Sequence, residues 1–315
     1  MSGLPTTLAS ELGDGDVDPK WLIDGLWSDA AVGVLGGEPK CCKSFLALDA
    51  AVSVASGKPC LRSFAVHRTG SVLVFPAEDS HAVVRRRLDG IATAAGSALG
   101  DLPIHVITAP KLMLDSRRDR RRLDETVASI KPALLVLDPF IRLHAIDENV
   151  AAEVAPLLGH LRELQRRHDV AVMLVHHSRK DARGARPGQA LRGSSDLHGW
   201  GDSNLYLRRT RSCMRLSIEH RAAPGRDGIA LELAELDAGP VLRVLDETVA
   251  ETPTARPDPQ QRILDALTDS PLDVSAHDLR ARCRMRAETF SRALRALVDD
   301  GRVTRTADDR YRLGA

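Results

Sequence analysis

The sequence lacks the long hydrophobic run that a membrane-spanning helix requires. No apolar stretch approaches the roughly 18 residues needed to cross a bilayer. Acidic and basic residues occupy the N-terminal region, where an export signal would have an apolar segment. These absences argue against a membrane protein and predict a cytoplasmic one. The 315 residues, of which 43% are hydrophobic, suffice for one large domain with a sizeable core and a small second domain.

Cysteine is scarce, and neither sign of charge dominates. Five cysteines, two of them adjacent and none at zinc-ribbon spacing, favour reduced thiols over a disulfide framework or a metal cage. The net charge is only +1, but arginine is clustered at 85–87, 117–122 and 208–211, where local contacts with phosphates are possible. The run at 117–122 is given no function, because a solvated helix face is expected from the acids beside it: Asp115, Asp119, Asp124 and Glu125.

Between about residues 30 and 245, short apolar runs alternate with longer segments of helical period. This alternation predicts a doubly wound α/β fold with a mostly parallel sheet. The predicted strands are 31–35, 71–75, 104–108, 133–137 and 170–175. The predicted helices are 43–56, 80–95, 119–130 and 149–168. After residue 200 the pattern becomes alternating, which predicts antiparallel strands that extend the sheet.

A change of composition divides the chain. Residues 246–258 gather Pro, Thr and acidic residues, which predicts a linker after a domain at 1–245 that includes an N-terminal lead at 1–19. Residues 259–315 show three amphipathic helical patterns and two short strands, which predicts a small winged helix-turn-helix domain. A protein-docking module of the same fold is the alternative to DNA binding. The third helix would turn outward Arg286, Thr289, Arg292 and Arg295.

The segment GGEPKCCKSF at 36–45 is similar to a phosphate-binding loop. The pattern G-x-x-x-x-G-K-[ST] is met at Gly37, Lys43 and Ser44, but position 42 is Cys instead of Gly. A predicted strand precedes the segment and a predicted helix follows it, so backbone N–H groups would surround the phosphates of ATP. The residues expected to contact the nucleotide are Gly37, Glu38, Pro39, Lys40, Cys41, Cys42, Lys43, Ser44 and Phe45.

Several of these residues are assigned chemical roles. Lys43 is expected to neutralise the β and γ phosphates, and the Ser44 hydroxyl to coordinate Mg²⁺. Asp138 follows a buried strand at the edge where ligands bind in open α/β sheets, so it would hold the same ion directly or through water. An aspartate that only starts a turn before Pro139 is the structural alternative.

Two other strand ends supply candidate catalytic groups. Glu78 is predicted to polarise the attacking water, whereas Asp79 is expected to cap the next helix. His176 and His177 follow the fifth strand, and one of them could hydrogen-bond the γ-phosphate. His177 is the candidate catalytic residue of this pair, and a buried structural histidine is the alternative.

Cys42 raises a question about the backbone. If residue 42 has a positive φ, Cys costs about 1–2 kcal/mol relative to Gly, which weakens the loop without abolishing it. If φ is negative, the side chain needs only to point away from the phosphates. A thiol beside Lys43 at a helix N-terminus is expected to be acidic, so oxidation or alkylation of Cys41 or Cys42 would block nucleotide binding.

Residues 20–245 resemble the RecA-type ATPase core, specifically the RepA-like branch of hexameric replicative helicases. The matching segments occur in the order WLIDGLW, GGEPKCCKSFLALDAAVSVASG, FPAEDS, LLVLDP, LVHHSRK and RGSSDLHGWGD. The resemblance implies an ATP-binding ring in which an arginine from one subunit reaches the phosphate bound by the next. Arg221 is the candidate for that arginine, with Glu219 where the related DnaB-type pattern has lysine, and Arg208 is the second candidate.

The resemblance also implies that the basic, Gly-rich loop at 180–195 faces the channel of the ring. Arg183, Arg186 and Arg192 would then contact the phosphates of single-stranded DNA, although the loop has no aromatic residues for base stacking. An ordinary mobile loop is the alternative.

These residues predict a Mg²⁺-dependent ATPase that couples hydrolysis to translocation on DNA or its remodelling, as in RepA-like helicases. A DNA-binding regulatory protein that uses ATP as a slow switch is the alternative. A small-molecule kinase would need a lid and an acceptor pocket, and the sequence indicates neither. The predicted partners are ATP, single-stranded DNA in the channel, duplex DNA at the winged helix and other copies of the chain in a hexamer, with no membrane.

Overall fold

The computed structural model describes residues 4–11, 20–177, 196–210, 213–245, 259–268, 273–283, 285, 287–306, 308 and 310–314. The chain forms two compact units, Met1–Asp246 and Glu247–Ala315. The predicted channel loop at 180–195 and the predicted linker at 246–258 lie outside the described residues.

The first unit contains a small hairpin and a large mixed sheet. The hairpin strands are β1 (Trp21–Ile23) and β2 (Trp27–Ser28). The strands of the large sheet are β3 (Val32–Gly37), β4 (Val72–Pro76), β5 (Ile104–Val106), β6 (Leu134–Asp138), β7 (Ala171–His177), β8 (Ser203–Arg209), β9 (Met214–His220), β10 (Arg226–Leu236) and β11 (Gly239–Val244). Their order is β11-β10-β9-β8-β3-β7-β6-β4-β5, with β3 to β8 parallel and β9 to β11 added antiparallel.

Helices cover both faces of this sheet. They are α1 (Lys43–Ser56), α2 (His81–Ala94), α3 (Arg117–Ile130), α4 (Ala151–His168) and α5 (Asp196–Trp200). Successive strand residues point to opposite faces: Val74 packs in the cluster that contains α1 and α2, whereas Leu73 packs in the cluster that contains α3 and α4. The predicted doubly wound α/β fold with an antiparallel extension is therefore confirmed.

The end of β3 lies in the middle of the sheet. In the parallel register, Gly37 is opposite His177 of β7 on one side and Leu207 of β8 on the other. Asp138 ends β6 and is opposite Pro76 of β4. Since parallel strands end at a common edge, the loops that follow β3, β4, β6 and β7 converge there.

One predicted helix cap is wrong. Ser80, not Asp79, is the N-cap of α2, because the Ser80 hydroxyl accepts a hydrogen bond from the Val83 backbone N–H at 3.4 Å. Asp79 instead forms an ion pair with Arg87, which lies further along the same helix. None of the described helices has the length and hydropathy needed to span a bilayer.

The second unit is small and has its own core. It contains α6 (Pro259–Thr268), β12 (Val274–Ser275), α7 (Ala276–Cys283), α8 (Ala287–Asp299), β13 (Val303–Arg305) and β14 (Arg310–Leu313). The three strands form a sheet in the order β12-β14-β13. Arg292 and Arg295 of α8 are exposed, and Arg286 lies outside the described residues. The assignment of this unit as a winged helix-turn-helix stays a prediction.

Candidate functional site

A cavity of about 330 Å³ lies at the edge where the parallel strands end. Four chain segments form its walls: the loop from β3 into α1, and the segments that follow β4, β6 and β7. The lining residues are Lys40, Cys41, Cys42, Lys43, Ser44, Phe45, Pro76, Glu78, Asp79, Arg87, Asp138 and His177. The structure thus brings most of the sequence-predicted site residues to one place.

The neighbouring strand β8 passes so close to the start of the loop that only glycine fits at position 37. Gly37 has a φ of 156°, and a Cβ added there would lie 2.4 Å from the Leu207 carbonyl oxygen and 2.8 Å from the Cys41 Sγ. Both distances are far inside van der Waals contact, and the first involves backbone. A side chain at position 37 is therefore excluded by the neighbouring backbone of β8.

The end of the loop has a left-handed backbone. Cys42 has a φ of 65° and a ψ of 25°, and it is the residue that precedes α1. The first of the two alternatives for this position therefore holds, and the conformation costs about 1–2 kcal/mol relative to Gly. Lys40 also has a positive φ, of 63°. The cysteine side chain is half-buried, so the chain accommodates it where the loop pattern has glycine.

Lys43 is directed back onto the loop. Its side chain is only 5% exposed, and its Nζ donates to the carbonyl oxygens of Gly37 at 3.0 Å and Glu38 at 2.8 Å. Burial lowers the pKa of Lys43, while Cys41 and the carboxylate of Asp138 act in the opposite direction. The ammonium is thus held by the same loop that is predicted to bind phosphates.

The expected acidity of the two thiols is wrong. Burial raises the pKa of Cys41, and the charge of Lys43 offsets only part of this effect. Burial likewise raises the pKa of Cys42, against the smaller influence of Arg209 and Arg87. Desolvation of the thiolate outweighs the nearby positive charges, so neither thiol has the low pKa of a reactive cysteine.

Asp138 and Ser44 both line the cavity and both carry side-chain oxygen atoms. Burial raises the pKa of Asp138 to about 6, against the smaller influence of the nearby Ser44 hydroxyl and the charge of Lys43. Mg²⁺ prefers hard oxygen ligands and usually binds through one or two carboxylates together with phosphates and water. No cluster of three or more His, Cys, Asp or Glu residues that could hold a metal is found among the described residues. Ser44 and Asp138 therefore fit an ion that arrives with a nucleotide.

Arginines that the sequence did not assign lie around the carboxylates. The Nε of Arg142 donates to the Glu78 Oε1 at 2.8 Å, and Arg87 pairs with Asp79 while its guanidinium lies 4.9 Å from the centroid of the Phe45 ring. Arg209 reaches the Lys40 carbonyl oxygen at 3.5 Å. Two of these arginines belong to the basic runs at 85–87 and 208–211, which were the available sequence signal.

The two adjacent histidines face opposite sides of β7. His177 lines the cavity, and burial followed by the charge of Lys43 lowers its pKa. His176 is buried in the core, where its ring centroid lies 5.9 Å from that of Phe140 and its Nδ1 lies 3.8 Å from the Glu148 Oε1. Strand geometry thus assigns His177 to the site and His176 to the interior.

The two candidates for the intersubunit arginine lie away from the cavity of their own chain. Arg221 donates to the Gly199 carbonyl oxygen at 2.8 Å, and its Nε lies 3.4 Å from the Asp202 Oδ1. Arg208 is exposed on β8, and Glu219 pairs with His198 at 2.8 Å. Neither arginine lines the cavity. A role in a neighbouring subunit's site stays a prediction for both.

The chain is similar to known proteins both in sequence and in fold. Residues 2–183, more than half of the chain, match a family model described as an AAA domain. The fold is similar to a solved structure described as an ATPase domain, with a TM-score of 0.54 at 15% identity over 68% of this chain and 85% of that one. It is similar to a DnaB-like replicative helicase, solved with a study of its interactions with primase, with a TM-score of 0.54 at 14% identity over 68% of this chain.

The chain spans 57% of the length of that helicase. The RadB recombinase aligns with a TM-score of 0.49 at 19% identity, over 69% of this chain and 92% of that one. At these identities the matches to the solved ATPase domain and the DnaB-like helicase establish the fold. The family model therefore confirms the AAA-family part of the predicted resemblance, and these matches confirm the fold that it implied.

Proposed function

The chain belongs to the AAA domain family, and we propose that it is a Mg²⁺-dependent ATPase that couples hydrolysis to translocation on DNA or its remodelling. The observation that carries this proposal is the convergence of Lys43, Ser44, Glu78 and Asp138 on one cavity. A phosphoryl-transfer site needs a cation for the phosphates, oxygen ligands for the metal and a group that positions the water. These side chains supply all three.

Binding of ATP exchanges the partners of Lys43. Its ammonium leaves the carbonyl oxygens of Gly37 and Glu38 and binds the β and γ phosphates. The backbone N–H groups at the start of α1 point towards the same phosphates, since the first turn of a helix has no internal acceptors for them. Ser44 and Asp138 would hold Mg²⁺, which neutralises developing phosphate charge when it is bound.

Hydrolysis requires a group that accepts a proton from water. We assign this role to Glu78, whose carboxylate is held by Arg142 at 2.8 Å at the rim of the cavity. The water oxygen attacks the γ-phosphorus, the bond to the β-phosphate oxygen breaks, and ADP and phosphate leave. To His177, in the same lining, we assign a hydrogen bond to the γ-phosphate that responds to its loss.

The DNA part of the proposal depends on the fold. The first unit shares its fold with a solved ATPase domain and with a DnaB-like replicative helicase. We infer that copies of the chain assemble into a hexameric ring with single-stranded DNA in the channel. The second unit would contact duplex DNA as a winged helix, using the exposed Arg292 and Arg295 of α8.

A second candidate function is favoured by the backbone of Cys42. A left-handed cysteine before α1, with a φ of 65°, makes the loop less preorganised than glycine would. In this alternative the chain is a DNA-binding regulatory protein that binds ATP and hydrolyses it slowly, as a switch. An assay of DNA strand displacement distinguishes the motor from the switch, because only a motor displaces a strand.

The first test is ATP hydrolysis with Mg²⁺, with and without single-stranded DNA. Turnover stimulated by DNA and lowered about 10²–10³-fold by Lys43→Ala is expected, since that substitution removes the charge aimed at the phosphates. Lys58→Ala, at an exposed position just beyond α1, is the matched control and should leave turnover unchanged. ATP binding without turnover in either condition would contradict the motor and favour the switch.

A further inference from the structure

A second cavity, of about 620 Å³, opens between α3 and α4 of the first unit. It shares no lining residue with the candidate ATP cavity. Residues 117, 120 and 121 are three and four positions apart, so their side chains lie on one face of α3. The lining residues are Arg117, Arg120, Arg121, Pro156, Gly159, His160 and Glu163.

Two of the acids near this arginine run, Asp119 and Asp124, pair with residues that do not line the cavity. Asp124 pairs with Arg167 and His168, each at 2.7 Å. Asp119 accepts from the Met113 backbone N–H at 3.0 Å and lies 3.6 Å from Arg122, which does not line the cavity. Across the part of the chain that the structure describes, no ion pair is found for the side chains of the three cavity-lining arginines.

The wall that α4 contributes adds polar groups of two kinds. The Nε2 of His160 is buried, and it has no hydrogen-bond partner among the described residues. Burial and the charge of Arg120 lower the pKa of His160. Glu163 supplies the single negative charge of the lining, against three guanidinium groups. The lining is therefore strongly cationic, with one acceptor at its edge.

We propose that this cavity is a second phosphate-binding site, which takes a small polyphosphate of the nucleotide class. One guanidinium group can donate two parallel hydrogen bonds to the oxygens of a phosphate. Three such groups on one helix face can therefore bind adjacent phosphates. Most of the lining residues are exposed, so the cavity is an open groove in which the arginines, rather than burial, would hold the ligand. Glu163 would repel a bare anion, but it would accept a hydrogen bond from a ligand hydroxyl or amino group, which a nucleotide carries and an inorganic polyphosphate lacks.

The test uses the full chain with Lys43→Ala, which weakens the first site. Binding of ATP, inorganic tripolyphosphate and a single-stranded oligonucleotide is measured by calorimetry in this background. Adding Arg120→Gln and Arg121→Gln should raise the Kd for ATP and tripolyphosphate at least about tenfold, by loss of two charge-assisted contacts. Arg118→Gln is the matched control, because Arg118 is exposed on the same helix outside the cavity.

Glu163→Gln separates a nucleotide from a bare anion. It should tighten tripolyphosphate binding and weaken ATP binding, so opposite changes for the two probes support the proposal. Equal affinities in the double variant and in Arg118→Gln would overturn it, as would absence of any binding of ATP and tripolyphosphate that depends on these arginines. Loss of oligonucleotide binding alone would also overturn it, because the site would then belong to a nucleic acid strand.

Discussion

The two ends of the predicted phosphate-binding loop, Gly37 and Cys42, constrain its backbone in different ways. At the strand end, a side chain on Gly37 would lie 2.4 Å from a carbonyl oxygen of β8. At the helix end, Cys42 carries a side chain and adopts a φ of 65°. A side chain at the first position must displace the backbone of β8, whereas a side chain at the second position carries a conformational cost.

This difference shows that the two glycines of the loop pattern are not equivalent. A steric conflict with backbone cannot be relieved without moving a strand, but a left-handed cysteine costs only about 1–2 kcal/mol. The helix end also carries the charge of Lys43, which acts on the nearby carboxylate of Asp138. The chain therefore tolerates departure from the pattern at the end where strain, rather than volume, is limiting.

The largest expected effect tests the charge at the helix end. Asp138→Asn should abolish Mg²⁺-dependent ATP hydrolysis and yet stabilise the first unit at pH 7.5 by roughly 3 kcal/mol. The reason is that the pKa of Asp138 is raised from 3.8 to about 6, so its stability contribution is fully present below pH 3.8 and is lost as the pH rises through 6. Urea unfolding at several pH values measures the difference.

The gain from Asp138→Asn should shrink between pH 6 and pH 4, where the buried carboxyl group takes up its proton in the folded state. Asp101→Asn, at an exposed position, is the control. A difference in stability that does not change with pH would show that burial of the charge is not its cause.

A smaller effect tests volume at the strand end. Gly37→Ala should lower the free energy of unfolding by about 1–3 kcal/mol, because the added methyl group must displace the Leu207 backbone. ATP binding should weaken along with stability, since the loop shifts with the strand. Gly100→Ala is the control, as no atom lies within 4 Å of its added Cβ. Unchanged stability and affinity in Gly37→Ala would remove the distinction between the two ends.

A still smaller effect tests strain at the helix end. Cys42→Gly relieves about 1–2 kcal/mol of left-handed strain but adds about 0.5–1 kcal/mol of backbone entropy in the unfolded chain. A net gain of about 0–1.5 kcal/mol in stability is expected from these two terms, together with tighter ATP binding. Cys42→Ala keeps the Cβ and so keeps the strain. If both variants gave the same gain, the thiol rather than the backbone would be responsible.

The smallest expected effect is on the rate at which the two thiols near the helix end are alkylated, and it is measured without a mutation. Burial raises the pKa of Cys41 and of Cys42, so the thiolate fraction at pH 7 is below that of an ordinary thiol. Iodoacetamide should therefore modify both residues more slowly than it modifies glutathione, with a rate that increases with pH. Peptide mass spectrometry gives the rates. Fast modification at pH 7 would restore the hypothesis of a reactive cysteine pair.

Local pattern was enough to predict most elements of the first unit. The apolar period from 43 to 56 ends at a glycine, and the structure has α1 at Lys43–Ser56. The strand predicted at 31–35 instead continues to Gly37, because its last residues pair with β7 and β8. That extension depends on distant partners, which a local period does not contain.

The same limit applies to the site. Glu78, Asp138 and His177 were found because each follows an apolar strand, and strand ends meet at one edge. Arg142 was missed, since it reaches Glu78 from a turn 64 residues later in the chain. The φ of Cys42 was left open because composition does not determine whether a non-glycine residue accepts the left-handed region.

The contacts of Lys43 have a consequence for product release. Its ammonium can donate to the Gly37 and Glu38 carbonyl oxygens of its own loop. Under the proposed ATPase function, a departing ADP would leave behind a cation that has partners within reach, rather than an unpaired buried charge, which would cost several kcal/mol. The two carbonyl oxygens would therefore stabilise the emptied site by pairing with the ammonium.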